Sequence, residues 1–381
     1  VATIQFSRPS GDFFSTLRKS VESYFTDNQL KSSGNARLYW KAAILITGYS
    51  ACYTTALFLP VPMWAAAVLA GTLGVLQAFV GFNIMHDACH DAFSDSKNVN
   101  YFFGLSMNAL GSDAFMWRQK HNVVHHTYTN IDGADDDIAK TPFLRMSESQ
   151  PRFKAHRFQH VYLTFLYAIS TLYWIVVKDL QDYIFGNRFN VEVGKMKPVD
   201  HFVFWSTKVV YFGLYMVLPI MVWGVLPGIL GFVIMHAMLG MVMSFVFQLA
   251  HVVENVEFEH THGEHTVIDN EWAVHQIETT SDFAPKNKVV SWFLGGLNYQ
   301  VEHHLFPRIS HVHYPQIQEI VQKTCADFGI DYRCYPTMNA ALASHFRHMK
   351  RLGKADAVSN PEPEAIVVQR EVVETEELVE L

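Results

Sequence analysis

Twenty of the 381 residues are histidine, and eight of them fall into a pattern that could do chemistry. His86 and His90 stand in HDACH; His121, His125 and His126 in HNVVHH; His251 in QLAHVVEN; His303 and His304 in QVEHH. On a helix, positions i and i+4 share a face, so His86 pairs with His90 and His121 with His125. His126 lies about 100° further round. Facing imidazoles are the usual ligands for zinc, iron, copper or nickel. One HxxxH proves little, but three such groups together with His251 exceed the three or four ligands of one zinc and predict two metals. A site this rich in imidazole, with open positions, suits non-haem iron and dioxygen.

The elements that must position these residues are apolar. Half the chain is hydrophobic and 17% is charged, with 29 Phe, 16 Tyr and 8 Trp, which excludes disordered, collagenous and nucleic-acid-binding classes. Mean hydropathy is only +0.08, so the apolar residues must be concentrated. They form runs over 42–60, 63–85, 201–222 and 226–250, each able to cross a core of about 30 Å as a helix. Pro60, Pro62 and Pro227 mark the turns of two hairpins, which carry no Lys or Arg. The positive-inside rule then puts both turns outside, and both termini and all eight histidines on the cytoplasmic side. A fifth run, 161–177, is short, aromatic and flanked by basic residues, which predicts a helix lying at the interface. The expected fold is an all-α integral membrane protein with four spans and a helical cytoplasmic cap over a di-metal site. It would sit in the plasma membrane if bacterial and the endoplasmic reticulum if eukaryotic.

Residues 1–41 read as a polar cytoplasmic segment without a signal peptide, 42–354 as the membrane domain, and 355–381 as an acidic solvated tail. That tail accounts for the whole formal charge of −7. The four cysteines lack CxxC spacing and read as reduced thiols. His260, His262 and His265 read as surface residues in a polar loop, and His275 as a support for metal ligands. His236, inside the fourth span, either lines a substrate tunnel or packs between helices. His156, His160, His201, His311, His313, His345 and His348 belong to no constellation. Asp87, Asp91 and Glu302 adjoin the boxes, and Asp87 and Glu302 are candidates to hydrogen-bond ligand imidazoles. Asp135, Asp136 and Asp137 read instead as a solvated loop. Arg118, Lys120, Arg152, Lys154, Arg157, Lys286 and Lys288 would dock an acidic protein, anchor the interface or bind phosphates.

With HDACH, HNVVHH and QVEHH around two apolar hairpins, residues 35–345 resemble the membrane fatty acid desaturases. WFLGGLNYQVEHHLFP, with Gln300 opening the third box, is similar to the front-end and linoleoyl-CoA-type branch. The resemblance implies a di-iron centre that uses O2 to form a cis double bond in an acyl chain carried by CoA, a carrier protein or a lipid. It implies ligation by His86, His90, His121, His125, His126, His303 and His304, with His251 as a further ligand. Gln300 departs from the all-histidine pattern, and Gln248 or Asn255 would act through water. Many front-end relatives carry a fused cytochrome b5 with an HPGG motif. None is found here, so a separate ferredoxin or cytochrome b5 is the expected electron donor. Two other readings stand beside this one: a hydroxylase with the same boxes, and a non-enzymatic metal transporter, which would place its ligands along a path through the spans.

Overall fold

The computed structural model describes residues 3–7, 12–185, 194–261 and 265–354. The acidic segment 355–381 and His262 lie outside the described residues. The described residues are mostly helical; the strands described are three two-stranded parallel pairs, Thr3–Phe6 with His265–Ile268, Ile131–Asp132 with Glu259–His260, and Asp282–Phe283 with Cys334–Tyr335. His260 thus sits on a short strand rather than in a free loop.

Among the described residues, four helices are long and apolar enough to cross a membrane: Met63–Cys89, Lys154–Phe185, Pro198–Trp223 and Val225–His251. The first apolar run forms the 23-residue helix Ala36–Phe58, whose Ser, Thr, Tyr and Lys content leaves it outside that set. The set therefore differs from the expected one by one member. Lys154–Phe185 is a single helical stretch of 32 residues, far longer than 161–177, because a 3-10 turn precedes it and a π turn at Trp174–Lys178 continues it.

Both ends of this long helix touch the same layer of the molecule. Near its start, His156 Nε2 donates to the Pro142 carbonyl at 2.8 Å; near its end, Lys178 lies 3.6 Å from Asp136. Its middle crosses Val225–His251, where Gly240 leaves no room for a Cβ against the Tyr167 carbonyl. Gly74 allows Met63–Cys89 to approach the same helix just as closely, against the Met235 carbonyl. Val225–His251 is thus the central post of the bundle.

At the crossing His236 is fully buried and bonded on both ring nitrogens, to Thr171 Oγ1 at 3.0 Å and Tyr211 OH at 2.8 Å. Of its two expected roles, the geometry is that of interhelical packing. Lys208, the one cation of the third apolar run, is also neutralised, by Asp179 at 2.5 Å and the Gly111 carbonyl at 2.6 Å. Polar groups within apolar helices are tolerated where they find such partners.

Candidate metal centre

Four helical elements deliver the eight box histidines. Met63–Cys89 runs on past the apolar stretch and carries His86, with His90 just beyond its end; a π turn over Gly81–Met85 immediately precedes them. Residues 114–128 form the second carrier. Its start is fixed by Asp113, whose Oδ1 accepts from the Met116 amide at 3.0 Å, and by Asn108, whose Oδ1 accepts from Ala114 N at 3.0 Å. Gln119–His125 within it is π-helical. His251 is the last residue of Val225–His251, and Gln300–Leu305 carries His303 and His304.

The eight rings converge into two groups. Ligand atoms of His86, His90, His121 and His303 all lie within 4.8 Å of one another, as do those of His125, His251 and His304. An overlapping set joins His121 and His125 to Asp137. His126 stands between the two, its ring 4.6 Å from that of His303 and 4.4 Å from that of His304.

HDACH behaves as i,i+4 spacing predicts, with both histidines in the first group. HNVVHH does not: His121 joins the first group and His125 the second. The i→i+5 pattern widens the turn, so His126 Nε2 comes within 3.2 Å of His121 Nε2 instead of lying a quarter-turn away. Neighbours His303 and His304 divide in the same manner, one to each group.

All eight rings are at most 5% exposed. Yet Nε2 of His86, His90, His125, His251, His303 and His304, and Nδ1 of His126, meet no hydrogen-bond partner. The opposite nitrogens of several are held by groups that fix the tautomer. His125 Nδ1 donates to Asp135 at 3.1 Å, His304 Nδ1 to Gln276 Oε1 at 2.9 Å, and His251 Nδ1 faces the Thr279 carbonyl at 3.4 Å, while His303 Nδ1 pairs with Tyr314 OH at 3.1 Å, which orients the ring. A carboxylate or carbonyl only accepts, so the proton stays on Nδ1 and the Nε2 lone pair points inward.

Burial, reinforced by the neighbouring imidazoles, holds His90, His121, His126, His303 and His304 well below the usual imidazole range. They are neutral, as ligation requires. His125 is the exception: burial pulls it down, but Asp135 and then Asp137 outweigh that and raise it. A buried lone pair left unmatched costs about 1–3 kcal/mol. Six of them, the Nε2 atoms of His86, His90 and His303 in one group and of His125, His251 and His304 in the other, are the donors of a metal site, and the residues fit one.

The surroundings correct several expectations. The Asp135–Asp137 run is not a solvated loop. Asp135 is 1% exposed and Asp136 5%. Asp135 accepts from Asn130 N and Asp137 N as well as from His125, while Asp136 holds Lys120 at 2.7 Å. Lys120 is therefore not a free docking residue.

Asp87 and Glu302 hold no box imidazole. Asp87 accepts from His311 Nδ1 at 2.9 Å and from Ser310 Oγ at 2.7 Å, and His311 Nε2 in turn meets Lys41 Nζ at 3.0 Å, so His311 does belong to a constellation. Glu302 points away from the rings toward Tyr332 at 2.9 Å, and burial beside Asp282 pushes its carboxyl well above the usual range.

Gln300 is buried close to His251, and its Nε2 donates to the Leu297 carbonyl at 2.9 Å. Gln248 is buried with Oε1 unpartnered. Asn255 is exposed, because the helix ends at His251 and the chain turns away at Val252. His275 donates to the Thr129 carbonyl at 2.9 Å and so backs the layer behind His304 without joining either group; burial lowers it to about 4.

Sequence reasoning missed Asp135, Gln276, Tyr314 and Trp117, whose ring stacks on His121 at 4.3 Å. It also missed Asn130, which adopts a left-handed φ of 56° and donates to the His251 carbonyl at 2.8 Å. Asparagine tolerates that conformation better than most residues, but nothing in its neighbours marks it.

Residues 62–336 match the family model described as fatty acid desaturase. Among curated relatives, the sn-1 linoleoyl-lipid 6-desaturase of Synechocystis is 35% identical over 92% of this chain and 98% of its own length. Its counterpart in Arthrospira platensis is 36% identical over 95% and 97%. The acyl-lipid (8-3)-desaturase of Physcomitrium patens is 38% identical over 92% of this chain and 74% of its own. Convergent imidazoles, a helical bundle and near full-length similarity agree: the chain belongs to the fatty acid desaturase family.

Proposed function

We propose that the protein is an acyl-lipid desaturase of the front-end type, which uses two irons, O2 and two electrons to place a cis double bond in a lipid-linked polyunsaturated chain. The carrying observation is the pair of imidazole groups in which six of the seven rings keep a buried Nε2 without a protein partner. His86, His90, His121 and His303 would hold one iron, and His125, His251 and His304 the other, with His126 between them and Gln300 replacing a histidine beside His251. Iron held there would supply the dioxygen activation that an unactivated methylene demands.

The chain's own residues do the rest. Asp135, Gln276, Tyr314 and the Thr279 carbonyl hold imidazole orientation. Met85, Met107, Ala114 and Trp117 form an apolar wall beside the first group that excludes water and suits an acyl chain. The balance is CH2–CH2 to cis CH=CH and O2 to two waters, with two electrons from a ferredoxin or cytochrome b5 and two protons from solvent. Most Lys and Arg lie on the histidine-bearing side of the bundle, which supports a cytoplasmic centre. The lipid-linked substrate and front-end position follow from the relatives' names and from QVEHH.

Expression in a host of known lipid composition tests this, with double-bond localisation by mass spectrometry and metal analysis of the purified protein. The expected result is a new double bond and about two irons per chain. Oxygen gained without a new double bond would reassign the protein as a hydroxylase.

A further inference from the structure

A cavity of about 340 Å3 opens between residues 115–120, the later half of Lys154–Phe185 and the segment leading into Pro198–Trp223. It lies behind the second metal-carrying helix: Met116, Gln119 and Lys120 line it, whereas Trp117 and His121 face the imidazoles. Next to its lining residues in sequence stand Ile184, Phe185, Val199 and Phe202, all exposed, at the ends of two apolar helices. Exposed apolar side chains around a polar cavity place its opening at the boundary between hydrocarbon and water.

The charges are largely paired in advance. Lys120 is held by Asp136 at 2.7 Å and Lys178 by Asp182 at 2.6 Å. Lys195 is exposed and has no described hydrogen bond or ion pair. The lining thus offers one unmatched positive charge, with the Gln119 amide and the bonded Tyr183–His201 pair, 2.9 Å apart, beside it as neutral polar groups. One phosphodiester carries one negative charge and several ester oxygens. Inward, Lys120 lies over the Trp174 ring at 5.3 Å, and Trp174 packs on the cluster of Met85, Ala114 and Trp117 beside the first imidazole group. Contiguous apolar packing therefore lies between the cavity and the metal centre.

We infer that this cavity holds the phosphodiester head group of a glycerophospholipid substrate, with Lys195 as its anion contact. The inference rests on the acyl-lipid reading and narrows it to one lipid class.

The test uses the full chain with its electron donor in nanodiscs containing linoleoyl phosphatidylglycerol, a linoleoyl glycosyl diacylglycerol, or linoleoyl-CoA. Wild type is expected to prefer the phospholipid. Lys195→Glu should raise the phospholipid KM about tenfold, as loss of one charged hydrogen bond does, with kcat and the glycolipid KM unchanged, and Lys195→Arg should restore it. An unchanged phospholipid KM in Lys195→Glu, or a wild-type preference for the glycolipid or the CoA thioester, overturns the inference and leaves the desaturase reading standing. Absence of any new double bond from all three substrates overturns that reading, and this one with it.

Discussion

His236 and the box histidines are all buried imidazoles, yet their hydrogen bonding is opposite. In the bundle, Thr171 and Tyr211 satisfy both nitrogens of His236. His345 is also satisfied twice, by the Val252 carbonyl and Tyr167 OH. In the cap, Asp135, Gln276, Tyr314 and Thr279 each take one nitrogen of a ring and leave the other unmatched. Burial therefore does not mark a ligand, nor does one unmatched nitrogen by itself, since His348 keeps one outside both groups; several unmatched nitrogens converging on one another do. The doubly bonded rings hold helices together, and the singly bonded ones wait for something the polypeptide does not contain.

Replacing a ring from the unmatched set gives the largest expected effect. His303→Ala should abolish desaturation, a loss of at least about a hundredfold, and lower iron content while the protein still inserts into the membrane. Wild-type turnover in that variant would erase the distinction between the two kinds of histidine. Removing a partner from the outer nitrogen is milder. Asp135→Asn, measured by iron affinity and turnover, should cost about ten- to a hundredfold, because the imidazole keeps its place but loses the carboxylate that orients it. His236→Leu should behave in the other manner. It strips partners from Thr171 and Tyr211 and is expected to cost stability of about 1 kcal/mol in thermal unfolding, with iron content unchanged. Loss of iron in that variant would show that the bundle histidine reaches the centre after all.

The sequence made the ligands legible because their spacing is local and their residue type is rare. What surrounds them was not, for reasons that differ from residue to residue. The split of HNVVHH between two groups escaped because i,i+4 reasoning assumes a regular α-helix, and the π turn at Gln119–His125 breaks that assumption. Asp135 sits in a DGADDD string that reads as solvated, and its burial depends on donors supplied by the fold around Asn130. Asp87 adjoins a ligand in sequence, but its partner His311 lies 224 positions away. Asn255 was expected near the centre from the resemblance alone, and the helix that would carry it there stops at His251. The apolar runs gave the bundle, but 161–177 read as too short to span because its flanking charges hid the rest of Lys154–Phe185, and a helix's path depends on what its two ends touch.

The π turn before His126 also bears on how such a sequence can change. A wide turn is a helix that accommodates one residue more than its neighbours, with the surplus confined to a single loop of backbone. Boxes written HxxHH and HxxxHH differ by one residue, which on a rigid α-helix would swing the second pair of rings by about 100°. Where a bulge takes up that residue, the box can lengthen or shorten while its two ends keep their bearings. Insertion and deletion, ordinarily ruinous beside a metal, become tolerable at such a turn.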